Sequence, residues 1–241
     1  MIHQDIQISV VIPFKDEAES IPLLSDELNT VIDNNRFSCE CIWVDDGSTD
    51  NSSEIVKHLM ERRHDYQLIQ FDKNYGQSAA LGCGFRKSRG EIIVTLDSDL
   101  QNDPSDIPGF LDLLLNSTFD MVNGIRKNRH DSAIRLLTSR IANQFRNTLT
   151  RSSVTDVGCS MRVFYRKCVE NIPVFKGMHR FLPTLVEMQG FRITEAIVNH
   201  RPRLKGRTKY GIQNRLWVGI IDTLAVRWML HRFVYPKLKG N

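Results

Sequence analysis

"IIVTLDSDLQNDP", residues 92–104, runs an apolar segment straight into three aspartates and a glutamine. The apolar residues belong inside a protein, yet Asp97 and Asp99 follow them one residue apart. Two like charges so close repel, and each raises the pKa of the other. A strand that ends in such a pair calls for a cation between the carboxylates.

The same pattern recurs upstream. "ISVVIPF" (8–14), "CECIWVDDGSTD" (39–50) and "YQLIQF" (66–71) each read as a buried strand running into polar residues. Ile21, Leu24, Leu28, Val31 and Ile32 have helical spacing. Asp50 or Ser48 is placed to cap a helix reaching about Met60. "GQSAALGCGFRKS" (76–88) reads as a small-residue helix ended by Gly90, and a further helix falls near 106–115, before a strand at 119–124. Alternating strands and helices predict a parallel sheet with crossover helices, whose strand ends line a ligand crevice. No GxGxxG or GxxxxGK[ST] is present, which argues against a dinucleotide fingerprint or a P-loop.

Farther on, Ile134, Leu137, Ile141 and Phe145 give a helical stripe, 161–166 and 191–200 read as strands, and "RPRLKGRTKYG" (201–211) is a basic loop. Leu216–Tyr235 is apolar on most faces but interrupted by Asp222, Arg227, His231 and Arg232. That is too polar to span a bilayer comfortably. It suits a helix lying in a membrane interface, with Trp217, Trp228 and Tyr235 at the headgroups, or a buried terminal helix, or an oligomer contact. The expected division is a domain over 1–213, split near residue 125, and an amphipathic segment over 214–241.

Charge is distributed unevenly. Residues 1–112 carry 21 Asp/Glu against 9 Lys/Arg, and residues 113–241 carry 7 against 23. A basic second half predicts an anionic partner: phosphate, nucleic acid or an anionic membrane surface. A nucleic-acid module fits poorly, because no recognition motif is present and the acidic strand ends would repel a polyanion. The 5 cysteines contain no CxxC pair and read as reduced thiols of a cytosolic compartment, with Cys39 and Cys41 on one face of a strand. The N-terminus has no secretory pattern.

In order and spacing, "VVIPFKDEAESI", "WVDDGSTD", "NYGQSAALGCG" and "IIVTLDSDLQNDP" resemble family 2 inverting glycosyltransferases of the GT-A fold. "VNGIRKNR", "RLLTSRIAN", "DVGCSMRVFYR" and "HRPRLKGRTKYG" are similar to the branch that moves sugars onto polyprenyl phosphates, the dolichol-phosphate mannosyltransferase-like proteins. The resemblance implies an α/β fold with a mostly parallel sheet and a UDP- or GDP-linked sugar as donor. It implies a polyprenyl phosphate as acceptor and Mg²⁺ or Mn²⁺ as cofactor, on the cytoplasmic face of a membrane. Anchoring would come from the C-terminal segment or a membrane protein partner, and a homo-oligomer is compatible. A hydroxyl acceptor on a glycan or soluble molecule is the alternative.

Residue by residue, the resemblance assigns Pro13, Glu17, Asp45, Asp46, Gln77 and Asp97 to the nucleotide sugar. It assigns Asp97, Asp99 and Gln101 to the metal, and Arg126, Arg135, Ser139, Arg203 and Lys209 to the acceptor phosphate. Lys15 and Asp16 depart from the usual aromatic and asparagine, and Thr208 from the usual serine. Asp99, Arg126 and Asp156 are the catalytic candidates. A phosphate acceptor is largely dianionic near neutral pH, its second pKa being ~6, so it can attack without losing a proton. Asp156 is then either a base or an orienting charge.

Overall fold

Strand β1 (Ile8–Phe14) is buried along its whole length, as a continuous apolar run in a parallel sheet should be. The computed structural model describes residues 7–126, 146–150, 152–202 and 213–236. Around β1, strands β2 (Cys39–Asp45), β3 (Tyr66–Gln70), β4 (Ile92–Thr95), β5 (Met121–Ile125), β6 (Arg162–Tyr165) and β7 (Ile193–Ile197) form one sheet. Its order is β3-β2-β1-β4-β6-β5-β7.

Helices α1 (Ile21–Asn35), α2 (Ser52–Arg62) and α3 (Gln77–Lys87) make the crossovers among the first four strands. β1 pairs in parallel with both β2 and β4, in registers such as Phe14 with Asp45 and Val11 with Thr95. The chain therefore builds outward from β1 to β3 and then returns to β1's other side. This reversal places the β2 and β4 carboxyl ends on either side of the β1 end, where α/β sheets bind ligands. Strand β6 breaks the parallel pattern, running antiparallel between β4 and β5, while β5 and β7 are parallel.

The period-two pleat divides the core. Val10, Ile12 and Phe14 face a cluster with Leu24, Leu28 and Trp43, joined by Phe110 and Leu114 of helix α4 (Ile107–Leu115). Val11 and Ile93 face the opposite cluster, with Leu81 and Phe85 of α3 and Leu182, Leu185 and Val186 of helix α5 (Leu182–Met188). Close approach of α3 needs Gly84, because a Cβ there would lie 2.3 Å from Val11 Cγ1. Cys39 and Cys41 share the first cluster, as alternation requires, and all 5 cysteines are free.

Helix α6 (Gln213–Arg232) follows. Its Val226 is fully buried and Met229 partly so in the second cluster. Trp217, Ile221, Leu224 and Trp228, spaced along the helix, are each more than half exposed. The helix is thus apolar on two sides, one in the core and one outward. Among the described residues no helix is long and apolar enough to cross a membrane. The predicted stripe at Ile134, Leu137, Ile141 and Phe145 lies outside the described residues.

Candidate active site

The loops after β1 and β2 are laced together by backbone donors and short polar side chains. Asp16, in a left-handed conformation at φ 49, accepts from Thr49 N at 2.7 Å. Asp16 N donates to Ser48 Oγ at 2.9 Å and Glu17 N to Ser52 Oγ at 2.8 Å. Lys15 reaches across to the Gly47 carbonyl at 2.6 Å. The N-cap of α2 is Asn51 rather than Asp50 or Ser48; Asp50, just before it, accepts from Ser52 N at 3.0 Å, and Ser48 serves the β1 loop.

Within this lacing, Asp45 accepts from Ser48 N at 2.7 Å and from the Ser53 hydroxyl. Asp46 accepts from Tyr75 N at 2.7 Å and Gly76 N at 2.9 Å, fixing the loop before α3. Both carboxylates are buried, as are Pro13 on β1 and Glu17, which accepts from Ser20 Oγ. The geometry gives Asp45 and Asp46 a loop-ordering task, in keeping with the turn that Asp45-Asp46-Gly47-Ser48 also reads as in sequence.

After β4 the chain delivers Asp97 and Asp99. Leu100, buried and left-handed at φ 62, turns the backbone so that Gln101 N donates to Asp99 Oδ1 at 3.2 Å. A leucine in that region is uncommon, and such strain concentrates at functional sites. Gln77 donates its Nε2 to Asp97 Oδ1 at 2.7 Å. Burial and then the Asp99 charge push Asp97 up to about 6, against a Ser160 hydrogen bond and the Arg162 and Arg126 charges. The Asp99 contribution, second to burial, is the repulsion expected of the Asp-x-Asp spacing. Hard oxygen donors under mutual repulsion suit Mg²⁺ or Mn²⁺, which fill their shells with substrate phosphates and water. Among the described residues no group of three His, Cys, Asp or Glu side chains gathers as a complete metal cage. Asp97 and Asp99 fit a shared site of this kind.

Asp156 is clamped by Arg126, whose charge also reaches Asp97. Arg126 Nε and Nη2 donate to the two Asp156 oxygens at 2.8 and 2.7 Å, and Arg126 N and Gly158 N each add a bond at 3.2 Å. Burial would lower the Arg126 guanidinium, but Asp156 holds it raised above its ordinary value. The clamp fixes Asp156 and the Arg126 guanidinium against each other.

Several cations here had no sequence signal beyond the basic excess of the second half. Arg162, buried on β6, donates to Asn123 Oδ1 at 3.0 Å and the Val157 carbonyl at 2.8 Å. Burial lowers its pKa, with Asp97 and Asp156 opposing. Arg146 lies over the Phe181 ring at 5.7 Å, its charge felt by both Arg180 and Asp156. The start of the basic loop meets the acidic turn: Arg201 N donates to the Gln101 carbonyl at 2.8 Å, and Asn102 bridges His200. Arg135, Ser139, Arg203 and Lys209 lie outside the described residues.

The profile of Glycosyl transferase family 2 matches residues 9–172, spanning β1, both acidic strand ends and the Arg126–Asp156 pair. The chain belongs to that family. It is 33% identical over 237 residues to dodecaprenyl-phosphate galacturonate synthase of Rhizobium johnstonii, covering 97% of this chain and 70% of the relative. It is 34% identical to undecaprenyl-phosphate 4-deoxy-4-formamido-L-arabinose transferase of Pseudomonas savastanoi, covering 84% of this chain and 60% of the relative.

The fold is that of GT-A glycosyltransferases. A structure of mannosyltransferase PcManGT from Pyrobaculum calidifontis in complex with GDP-Man and Mn²⁺ superposes with TM-score 0.66 at 19% identity, covering 95% of this chain and 66% of that one. Glucosyl-3-phosphoglycerate synthase from Mycobacterium tuberculosis, solved with phosphoglyceric acid, gives 0.67 at 18%, covering 93% and 79%. The protein is therefore a family 2 glycosyltransferase.

Proposed function

We propose that this glycosyltransferase moves a sugar from a UDP- or GDP-sugar to a polyprenyl phosphate with inversion, making a lipid-linked monosaccharide. The observation that carries the reading is the nearness of two charge sets. Asp97 and Asp99 stand just past the end of β4, and Asp97 feels the charges of Arg162, on the neighbouring strand β6, and of Arg126, which is clamped on Asp156. The names of the sequence relatives support the lipid acceptor.

On this reading Asp97 and Asp99, with Gln101, would hold Mg²⁺ or Mn²⁺, which would supply charge neutralisation for the departing nucleoside diphosphate. Pro13, Glu17, Asp45 and Asp46 shape the nucleotide pocket through the laced loops, and Gln77 keeps Asp97 in place. Arg126, Arg135, Ser139, Arg203 and Lys209 receive the acceptor phosphate, arginine being suited to phosphate oxygens by its planar fork. Asp156 orients Arg126. A phosphate nucleophile attacks the anomeric carbon from the face opposite the leaving group, which inverts that centre.

The domain over 1–213 carries this chemistry, and the segment 214–241 brings it to the cytoplasmic membrane surface. The outward Trp217, Ile221, Leu224 and Trp228 face of α6 supports that placement, because tryptophans beside basic residues favour the headgroup region. The test is a panel of UDP- and GDP-sugars with short polyprenyl phosphates and Mn²⁺ or Mg²⁺, read by mass spectrometry. Lipid-linked sugar is the expected product. Transfer to glycan or soluble hydroxyls, with polyprenyl phosphates inert, would replace this reading with the alternative acceptor.

A further inference from the structure

The first turn of α3 is held from three directions. Asp46 accepts from Gly76 N, and Gln77 donates to Asp97. Ser78, the next residue, is buried and turned the other way, toward the 3-10 turn Met178–Arg180 that precedes α5. Its Oγ receives Gly177 N at 3.2 Å and His179 N at 3.3 Å, and lies 2.8 Å from His179 Nδ1. An oxygen that already accepts two N–H groups has only its own proton to give, so that proton points to Nδ1. The His179 ring is then a neutral acceptor at Nδ1 with its hydrogen on Nε2. Burial, with Arg180 and Arg162 nearby, pushes His179 down to about 3, which keeps the ring in this form.

The same turn grips α6. Arg180 Nη2 donates to Asp222 Oδ2 at 2.8 Å. This pair lies directly on the backbone of Gly177, at φ +97, where a Cβ would come 2.6 Å from Asp222 Oδ2 and 2.8 Å from Arg180 Nη2. A chain of short contacts thus runs from α6 through Asp222, Arg180, the turn and Ser78 to Gln77 and Asp97. Its links are separated by up to 101 residues in sequence.

We propose that Ser78, His179, Arg180 and Asp222 form a positioning strut by which the seating of helix α6 sets the place of Gln77, and through it Asp97, for cation and donor binding. None of the four is a catalytic residue. The strut matters because Mg²⁺-type sites demand near-ideal oxygen geometry, and a misplacement of about 1 Å far from the chemistry is enough to cost rate. It also makes α6 more than a tether: its contact with the turn contributes to the donor half of the site.

The inference rests on the reading of Asp97 and Asp99 as cation ligands, so the experiment separates the two. Mn²⁺ binding to the full chain, with nucleoside diphosphate present, is followed by the electron paramagnetic resonance signal of free Mn²⁺. Turnover and melting temperature are recorded in parallel. Asp99→Asn should abolish Mn²⁺ binding; if it binds as wild type does, the cation reading falls and the strut falls with it. With Asp99→Asn behaving as expected, Ser78→Ala and Asp222→Ala should each weaken Mn²⁺ about fivefold, the scale of one ordinary hydrogen bond. The double variant should be little weaker than either single, because both cut the same chain of contacts. Ser78→Thr, which keeps the hydroxyl, should recover most of the affinity. Wild-type affinity in both singles, or effects that simply multiply, overturns the strut alone. If Asp222→Ala does not fold, the near-isosteric Asp222→Asn in the same cycle decides by the same criteria.

Discussion

Replacing Asp97 with asparagine is expected to stabilise the metal-free protein while removing its metal-dependent turnover. Asparagine keeps the shape and still accepts from Gln77, whose Nε2 donates to Asp97 Oδ1 at 2.7 Å. What it removes is a charge that burial and Asp99 oppose. The carboxyl rises from 3.8 to about 6 on folding. At ~1.4 kcal/mol per pKa unit this difference corresponds to ~3 kcal/mol. Asp97 is only partly buried, so solvent screening reduces the expected gain to ~1–2 kcal/mol. The sign follows from linkage: a raised folded pKa means that the folded state binds the proton more tightly. The penalty is therefore absent below about 3.8, builds as pH rises, and is complete above about 6. Urea denaturation in chelator should show the Asp97→Asn protein ahead by ~1–2 kcal/mol at pH 7.5, with the gap closing toward pH 4. Saturating Mn²⁺ should reverse the order, since ligand at a hundredfold its Kd adds ~2.7 kcal/mol to the wild type alone. A variant no more stable than wild type at pH 7.5, or a gap that ignores pH, would refute the view that this pair is held in electrostatic tension.

Three further outcomes are expected. Chelation of divalent ions should stop turnover and added Mg²⁺ or Mn²⁺ restore it; full activity in chelator would remove Asp97, Asp99 and Gln101 from the metal assignment. Asp156→Asn leaves the largely buried Arg126 guanidinium without its charged partner and should cost ~3 kcal/mol in a urea titration, a loss under ~1 kcal/mol meaning that the clamp is solvent-bathed. Trp217→Ser with Trp228→Ser should reduce sedimentation with anionic liposomes while leaving the core side of α6 intact; unchanged sedimentation would reassign that exposed face to a protein partner or a second copy.

Much of this architecture was legible from local pattern. The apolar runs at 8–14 and 92–96 marked the central strands, because a strand buried on both faces has no polar alternation to hide it. The acids at Asp45, Asp46, Asp97 and Asp99 were readable as one mouth, since crossovers between parallel strands bring carboxyl ends to the same edge. The repulsion between Asp97 and Asp99 follows from spacing alone. Other features depend on residues far apart in the chain. Nothing local to Arg126 announces that its fork closes on Asp156, 30 residues later. Nothing in "MRVFYR" shows that β6 runs antiparallel between two strands and buries Arg162 beneath the acids. Asp45 and Asp46 read as ligand-facing because their charge is visible in sequence, while the backbone N–H groups that occupy Asp46 arrive from the loop before α3, about 30 residues on. Helix α6 read as apolar on most faces, which left its burial open; in the fold Val226 faces inward and Trp217 and Trp228 outward. Periodicity reports that a face is apolar; only the packed chain decides which apolar face meets the core, because that choice is made by residues such as Asp222 finding Arg180 across 42 positions.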